Sequence, residues 1–146
     1  MNGIFALHLA STVFMTGLIW FVQIVHYPLF ARVGEPGFVG YSLSHQQRTS
    51  IVVLPAMLTE LATGCLLWAL PINPIPATLF TASMIALAVI WVSTFLLQVP
   101  CHSRLGKTFC ADSCRRLVLT NWIRTCCWSV RSLLLLIPLI EGNWMS

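Results

Sequence analysis

Charge is the scarce ingredient of this sequence. Four acidic and eight basic residues make up 8% of its 146 positions, against about 25% in an ordinary soluble domain. A water-soluble fold of this size could not cover its surface with so few, which excludes most soluble classes. No acidic tail, basic arm or low-complexity tract is present, and 58% hydrophobic residues make the chain too apolar for disorder. No Lys, Arg, Asp or Glu precedes Arg32. A cleaved signal peptide needs a basic start, a short apolar run and a small-residue cleavage site, so the first hydrophobic segment reads as a membrane span. Neither H-E-x-x-H, nor G-x-S-x-G, nor a phosphate-binding motif occurs. Basic residues do not interleave with aromatics as on a nucleic-acid surface, so nucleic acid is not an expected partner. What remains is a polytopic membrane protein whose surroundings are the lipid bilayer.

A membrane helix takes about 20 mostly apolar residues. The chain offers four such segments, at residues 4–27, 49–70, 77–99 and 117–140 of a single domain covering 1–146. The expected fold is all-α, an integral membrane four-helix bundle of two antiparallel hairpins. Six of the eight basic residues, Arg32, Arg48, Arg104, Lys107, Arg115 and Arg116, fall in the first and third loops. Positive residues collect in cytoplasmic loops, so the expectation is a cytoplasmic (inner) membrane protein with both termini, including Glu141, outside. The loop 71–76, rich in proline, predicts a tight hairpin between spans two and three. Gly34-Glu35-Pro36-Gly37 is a turn signal, and Tyr41 to Arg48 reads as an interfacial stretch leading into span two. Pro28 and Pro100 predict breaks in spans one and three, with His102 past a helix end, and Pro55 predicts a bend in span two.

At 100° per residue the polar residues of each span fall on one face. His8, Thr12, Thr16, Gln23 and His26 share one stripe, Thr49, Glu60 and Thr63 a second, Ser83, Thr94 and Gln98 a third. Asn121, Arg124, Thr125, Trp128, Arg131 and Ser132 form the fourth. Polar groups avoid hydrocarbon, so these faces predict a polar bundle interior. Glu60 lies roughly 16 Å into span two, while Arg124 and Arg131 lie about 10 and 21 Å into span four. An ion pair of Glu60 with either Arg124 or Arg131 is expected, either fixing helix neighbours or lining a ligand or proton site.

Gln23, His26, His45, Gln46, Gln98, His102 and Asn121 map to the same ends of the helices. Histidine is the commonest metal ligand and binds haem iron, so His26, His45 and His102 are candidate metal or haem ligands, although no compact ligand motif joins them. Candidate catalytic residues are His26, Glu60, His102, Arg124 and Arg131, and candidate cofactor-binding residues are Gln23, His45, Gln98 and Asn121. The cofactor is open, haem or a metal ion being the two chemistries considered. Cys101, Cys110 and Cys114 share a loop with His102 in a spacing unlike common zinc sites, and Cys65, Cys126 and Cys127 read as packing residues. The two hairpins also echo one another: Gln23, His26, Pro28 and Arg32 against Gln98, Pro100, His102 and Arg104, and Arg48-Thr49 against Arg124-Thr125. A shift of about 76 residues relates them and predicts an approximate two-fold axis along the membrane normal.

The stretch Gln98-Val99-Pro100-Cys101-His102-Ser103-Arg104-Leu105, followed by Asn121-Trp122-Ile123-Arg124 and Arg131, resembles the second half of the small anthrone-oxygenase-like membrane family. The stretch from Gly17 to Pro28 resembles bacterial four-helix proteins of similar size. The resemblance implies four helices and, in some members, oxygenation of polycyclic phenols without an obvious cofactor. Two functions follow as expectations. One is a small membrane enzyme or binder holding an apolar or aromatic molecule (quinone, phenol or porphyrin) among the polar stripes, with redox or oxygenase chemistry. The other is a non-catalytic accessory subunit of a larger membrane complex, or a homodimer. A transporter ranks third, because four helices would need a second copy to form a pathway.

Overall fold

The computed structural model describes residues 3–70 and 75–140. Most of the proline-rich loop 71–76, and Glu141 with the tail beyond it, lie outside the described residues. Four helical rods make up the chain: α1 (Gly3–Phe30), α2 (Glu35–Ala69), α3 (Ala77–Leu105) and α4 (Ala111–Ile140). The first three are long and apolar enough to cross a membrane. α4 has 30 residues, about 45 Å at 1.5 Å per residue, and carries Arg124 and Arg131 in its buried stripe. The surface reverses that of a soluble protein: Ile51 is 73% and Leu96 67% exposed, while Glu60 and Arg131 are fully buried. Apolar residues facing outward and polar residues facing inward is the arrangement a hydrocarbon solvent selects.

Two sequence expectations fail at the prolines. α1 and α3 do not break at Pro28 and Pro100. Each widens into one π-helical turn, Val22–His26 and Thr94–Gln98, just before the proline. Tyr27 N–H then bonds Val22 O, and Val99 N–H bonds Thr94 O. Proline lacks the N–H and crowds the carbonyl four residues back. The wider turn absorbs that conflict and lets the helix continue, so His102 lies within α3 and not past its end. The second failure is the start of α2, which begins at Glu35 with Pro36 in its first turn. Gly34, at φ 81°, makes the preceding turn, a backbone region in which glycine carries no Cβ penalty. Tyr41 to Arg48 is therefore part of one continuous 35-residue helix.

The repeated π turn also sharpens the internal echo. The two turns and their prolines align at a shift of 72 residues (Val22 to Thr94), and the starts of α2 and α4 at 76 (Glu35 to Ala111). Three of the four extra residues lie in the helical segment around the proline, longer in α3 (Val99–Leu105) than in α1 (Tyr27–Phe30), and the fourth lies in the loop that follows.

α1 packs along both α2 and α4, and α4 along α3. Each hairpin is thus a packed antiparallel pair, joined to the other through α1 and α4. The expected tight pairing of spans two and three is not seen. The backbones of α2 and α3 approach closely through Val99–Leu105, at the end that carries the basic loops, hereafter the basic end. Near the opposite, terminal end they meet by side chains, with the Trp68 and Phe80 ring centroids 6.2 Å apart. Between those contacts the two helices stand apart. Two apolar clusters brace the bundle. One surrounds Phe30, Leu105, Leu117 and Trp128, and the other, at the terminal end, joins Phe5, Leu67, Phe80 and Leu135.

Gly64 sets the spacing of α1, α2 and α3 in the terminal half. A Cβ there would stand 2.9 Å from Met84 Sδ and 3.2 Å from His8 Cε1. Gly64→Ala should be tolerated by a shift of the flexible Met84 side chain, whereas Gly64→Leu should destabilise the bundle by about 1 to 3 kcal/mol. Unfolding titrations in mixed micelles check this.

Candidate functional site

The polar stripes converge as the sequence suggests, but they divide into two separate groups. Arg131 of α4 anchors the first. Its Nη1 donates to Glu60 Oε1 of α2 at 2.5 Å, its Nε to Ser83 Oγ of α3 at 3.4 Å, and its Nη2 lies 3.4 Å from His8 Nε2 of α1. Trp128, one turn earlier on the same face, donates Nε1–H to Glu60 Oε2 at 3.0 Å. Thr63 donates its only hydroxyl proton to Thr59 O at 2.6 Å, so it must accept from His8 Nδ1–H, 2.9 Å away. His8 therefore offers the lone pair of Nε2 to Arg131. Of the two pairings left open, the structure takes Glu60–Arg131. Trp128 decides the choice: its indole N–H edge meets Glu60 while its face receives Arg124, whose guanidinium carbon is 5.2 Å from the ring centroid. The indole stands between Glu60 and the second arginine.

Arg124 is consequently a buried guanidinium with no carboxylate partner among the described residues. It is held over the Trp128 ring, close to the Tyr27 phenol. It also lines a cavity of about 630 Å³ in the basic half of the bundle, where α2 and α3 stand apart. Most of the lining is apolar, including Met15, Ile19, Val53, Met57 and Phe95. Five buried polar side-chain atoms find no hydrogen-bond partner among the described residues: Trp91 Nε1, Gln98 Oε1, His102 Nδ1, Asn121 Oδ1 and Arg124 Nε. All but the Asn121 atom belong to residues that line this cavity. Buried polar groups are nearly always paired, so four unpaired atoms around one apolar cavity form a set of receptors for a polar head.

Their chemistry is specific. Trp91 Nε1–H and Arg124 Nε–H only donate. Gln98 donates Nε2–H to Thr120 Oγ1 at 2.9 Å, which leaves its carbonyl oxygen to accept. His102 Nε2 lies 3.1 Å from the Tyr27 hydroxyl. His102 Nδ1 then donates or accepts according to the tautomer that this bond selects. Two fixed donors, one acceptor and the His102 nitrogen thus belong to residues around the cavity.

Of the sequence-derived candidates, Arg124, His102, Gln98 and His45 line this cavity. Glu60 and Arg131 do not, being engaged with each other. Gln23 and Asn121 join α1 to α4: Asn121 Nδ2 donates to Gln23 Oε1 at 2.9 Å, and Gln23 Nε2 to Val118 O at 3.2 Å. His26 lies on the other side of His45, with Nε2 2.8 Å from His45 Nδ1. The expected triad of His26, His45 and His102 does cluster, with Phe30 packed among the three rings. It is not arranged as a metal site. One pair of nitrogens is hydrogen-bonded to each other and His102 Nε2 is taken by Tyr27, so the lone pairs do not converge on one point. No group of three metal-ligating side chains is found among the described residues. All six cysteines are free thiols. Tyr27 and Trp91 were missed by the stripe analysis. Tyr27 adjoins His26 in sequence but lies about 100° from it around the helix, off the polar stripe. No family model, curated protein or solved structure matches this chain.

The Glu60–Arg131 clasp makes a prediction that separates its role from that of Arg124. Glu60→Leu leaves a buried guanidinium uncompensated and should destabilise the protein by about 3 to 5 kcal/mol. The double change Glu60→Leu with Arg131→Met should recover most of that loss. Thermal or denaturant unfolding of the two variants is the measurement.

Proposed function

We propose that this protein is a four-span protein of a cytoplasmic membrane, its basic loops in the cytoplasm, that binds an amphipathic aromatic molecule of the phenol or quinone type. The observation that carries the reading is Arg124: a buried guanidinium without a carboxylate among the described residues, on the wall of a largely apolar cavity that is also lined by Trp91, Gln98 and His102, each with an unpaired polar atom. An isolated charge at such depth costs several kcal/mol, a cost that an anionic or carbonyl oxygen would offset on binding. The separation of α2 from α3 gives a lipid-dissolved molecule a lateral way in. Its ring system would lie among Met57, Val53 and Phe95, and its oxygen against Arg124 and His102. In that position Arg124 stabilises an oxyanion and so favours ionisation of a bound phenol, the step that prepares phenols for oxidation.

A non-catalytic subunit of a larger complex is the second reading. Exposed Trp20 and Trp122, whose rings meet edge to face at 5.7 Å, form an aromatic patch on the α1–α4 seam that favours it. In that case the cavity would show no ligand selectivity.

Titration of the purified protein in nanodiscs with 2-naphthol tests the proposal through quenching of tryptophan fluorescence. Saturable binding is expected. Arg124→Met should weaken it by about tenfold or more, as expected for loss of a charged hydrogen bond, without loss of thermal stability. Equal binding by the variant, or none by the wild type, rejects the proposal.

A further inference from the structure

Beside His45 lies a second, smaller and mostly apolar cleft of about 250 Å³, in which His26, His45, Arg48 and Thr49 are the polar lining residues. Leu18, Val22, His45 and Thr49 line both spaces, so His45 and Thr49 are the polar part of the wall between them. Its Nδ1 is 2.8 Å from His26 Nε2 and 3.0 Å from Thr49 Oγ1. The two imidazoles stack with centroids 4.3 Å apart and planes 27° from parallel. Phe30, fully buried, meets both rings nearly edge-on and holds them in that pose. On the cavity side the His45 ring centroid is 5.7 Å from that of His102 and 6.5 Å from that of Tyr27. Neither His26 nor His45 is paired with a carboxylate among the described residues. The charged groups nearby are Arg48 of α2, on the smaller cleft, and Arg124 of α4, on the cavity. The other titratable groups are Tyr27 of α1, Tyr41 of α2 and His102 of α3.

We infer that the His26–His45 couple is a proton port, moving protons between a phenolic ligand in the cavity and water at the basic end. The inference rests on the cavity being a ligand site. Each imidazole has one nitrogen that accepts while the other releases, so the pair can pass a proton without either ring turning. The ligand O–H bond breaks as its proton joins His45 Nε2, leaving the electron pair on the ligand oxygen as phenolate beside Arg124. The Nδ1 proton of His45 moves to His26 Nε2, and His26, half-exposed at the basic end, releases its Nδ1 proton to water there. No electron leaves the system, and the count of protons is unchanged. With cations and no carboxylate around it, the pair passes a proton on and does not store it.

The test mixes nanodisc-embedded protein with 2-naphthol in a stopped-flow instrument. Naphtholate absorbance and a water-soluble pH dye are followed together, with equilibrium affinity measured in parallel. The wild type should form naphtholate and release a proton, more slowly in D₂O. His26→Gln, whose side chain does not line the cavity, should keep its affinity within about twofold while proton release slows by about tenfold or more, the scale of a lost proton-transfer group. In His45→Ala, release should be slow and restored by added imidazole. Release at the wild-type rate in His26→Gln, or slow release in His45→Ala that imidazole does not restore, overturns the port. Wild-type binding without proton release overturns it while leaving the cavity reading intact. No wild-type binding at all overturns the cavity reading and the port with it.

Discussion

Arg131 is where all four helices meet. Its guanidinium reaches His8 on α1, Glu60 on α2 and Ser83 on α3 from its own place on α4. In hydrocarbon no water can replace these partners, so a helix that drifts leaves a buried charge or dipole unsatisfied. The pattern of donors is directional, because a guanidinium is a planar fork. One side chain therefore sets both the neighbours and the depth of each helix. Gly64 and Met84 show the same region packed to contact distance. The terminal half of the bundle is close-packed on this account, and the gap between α2 and α3 lies in the basic half.

Trp128 divides the labour between the two arginines of α4. Its N–H edge completes the coordination of Glu60, and its face holds Arg124. Without that indole, one carboxylate would sit between two cations and neither arginine would have a distinct role. With it, one arginine becomes structural and the other remains available on the cavity wall. The π turns contribute at the other end. By carrying α1 and α3 through Pro28 and Pro100 as continuous helices, they keep Tyr27 and His102 on ordered backbone. The bond between Tyr27 and His102 then links α1 to α3 beside Arg124.

Much of this was legible in one dimension. Scarce charge and long apolar runs identified the membrane class, and the helical period gathered Glu60, Arg124, Arg131, Gln98 and Asn121 onto interior faces. The prolines misled, because the rule that proline ends a helix does not say whether a wider turn can absorb it. The choice between Arg124 and Arg131 was hidden as well. Depth along a helix is a local quantity, whereas the partner depends on what stands between, and Trp128 was visible only as one more residue of the stripe. Tyr27 and Trp91 gave no signal, since their polar atoms matter only where they face an apolar space.

The sequence by itself determined the solvent this protein folds in, the number of its helices and the face each turns inward. Those properties follow from hydropathy and from the helical period, and both are local. The tertiary structure decided which helices pack and which stay apart, which arginine is paired and which borders a cavity, and that the histidines form a hydrogen-bonded pair instead of a metal site. Those outcomes depend on distances of a few ångströms between residues far apart in the chain, such as the 71 positions separating Glu60 from Arg131. No local pattern encodes them.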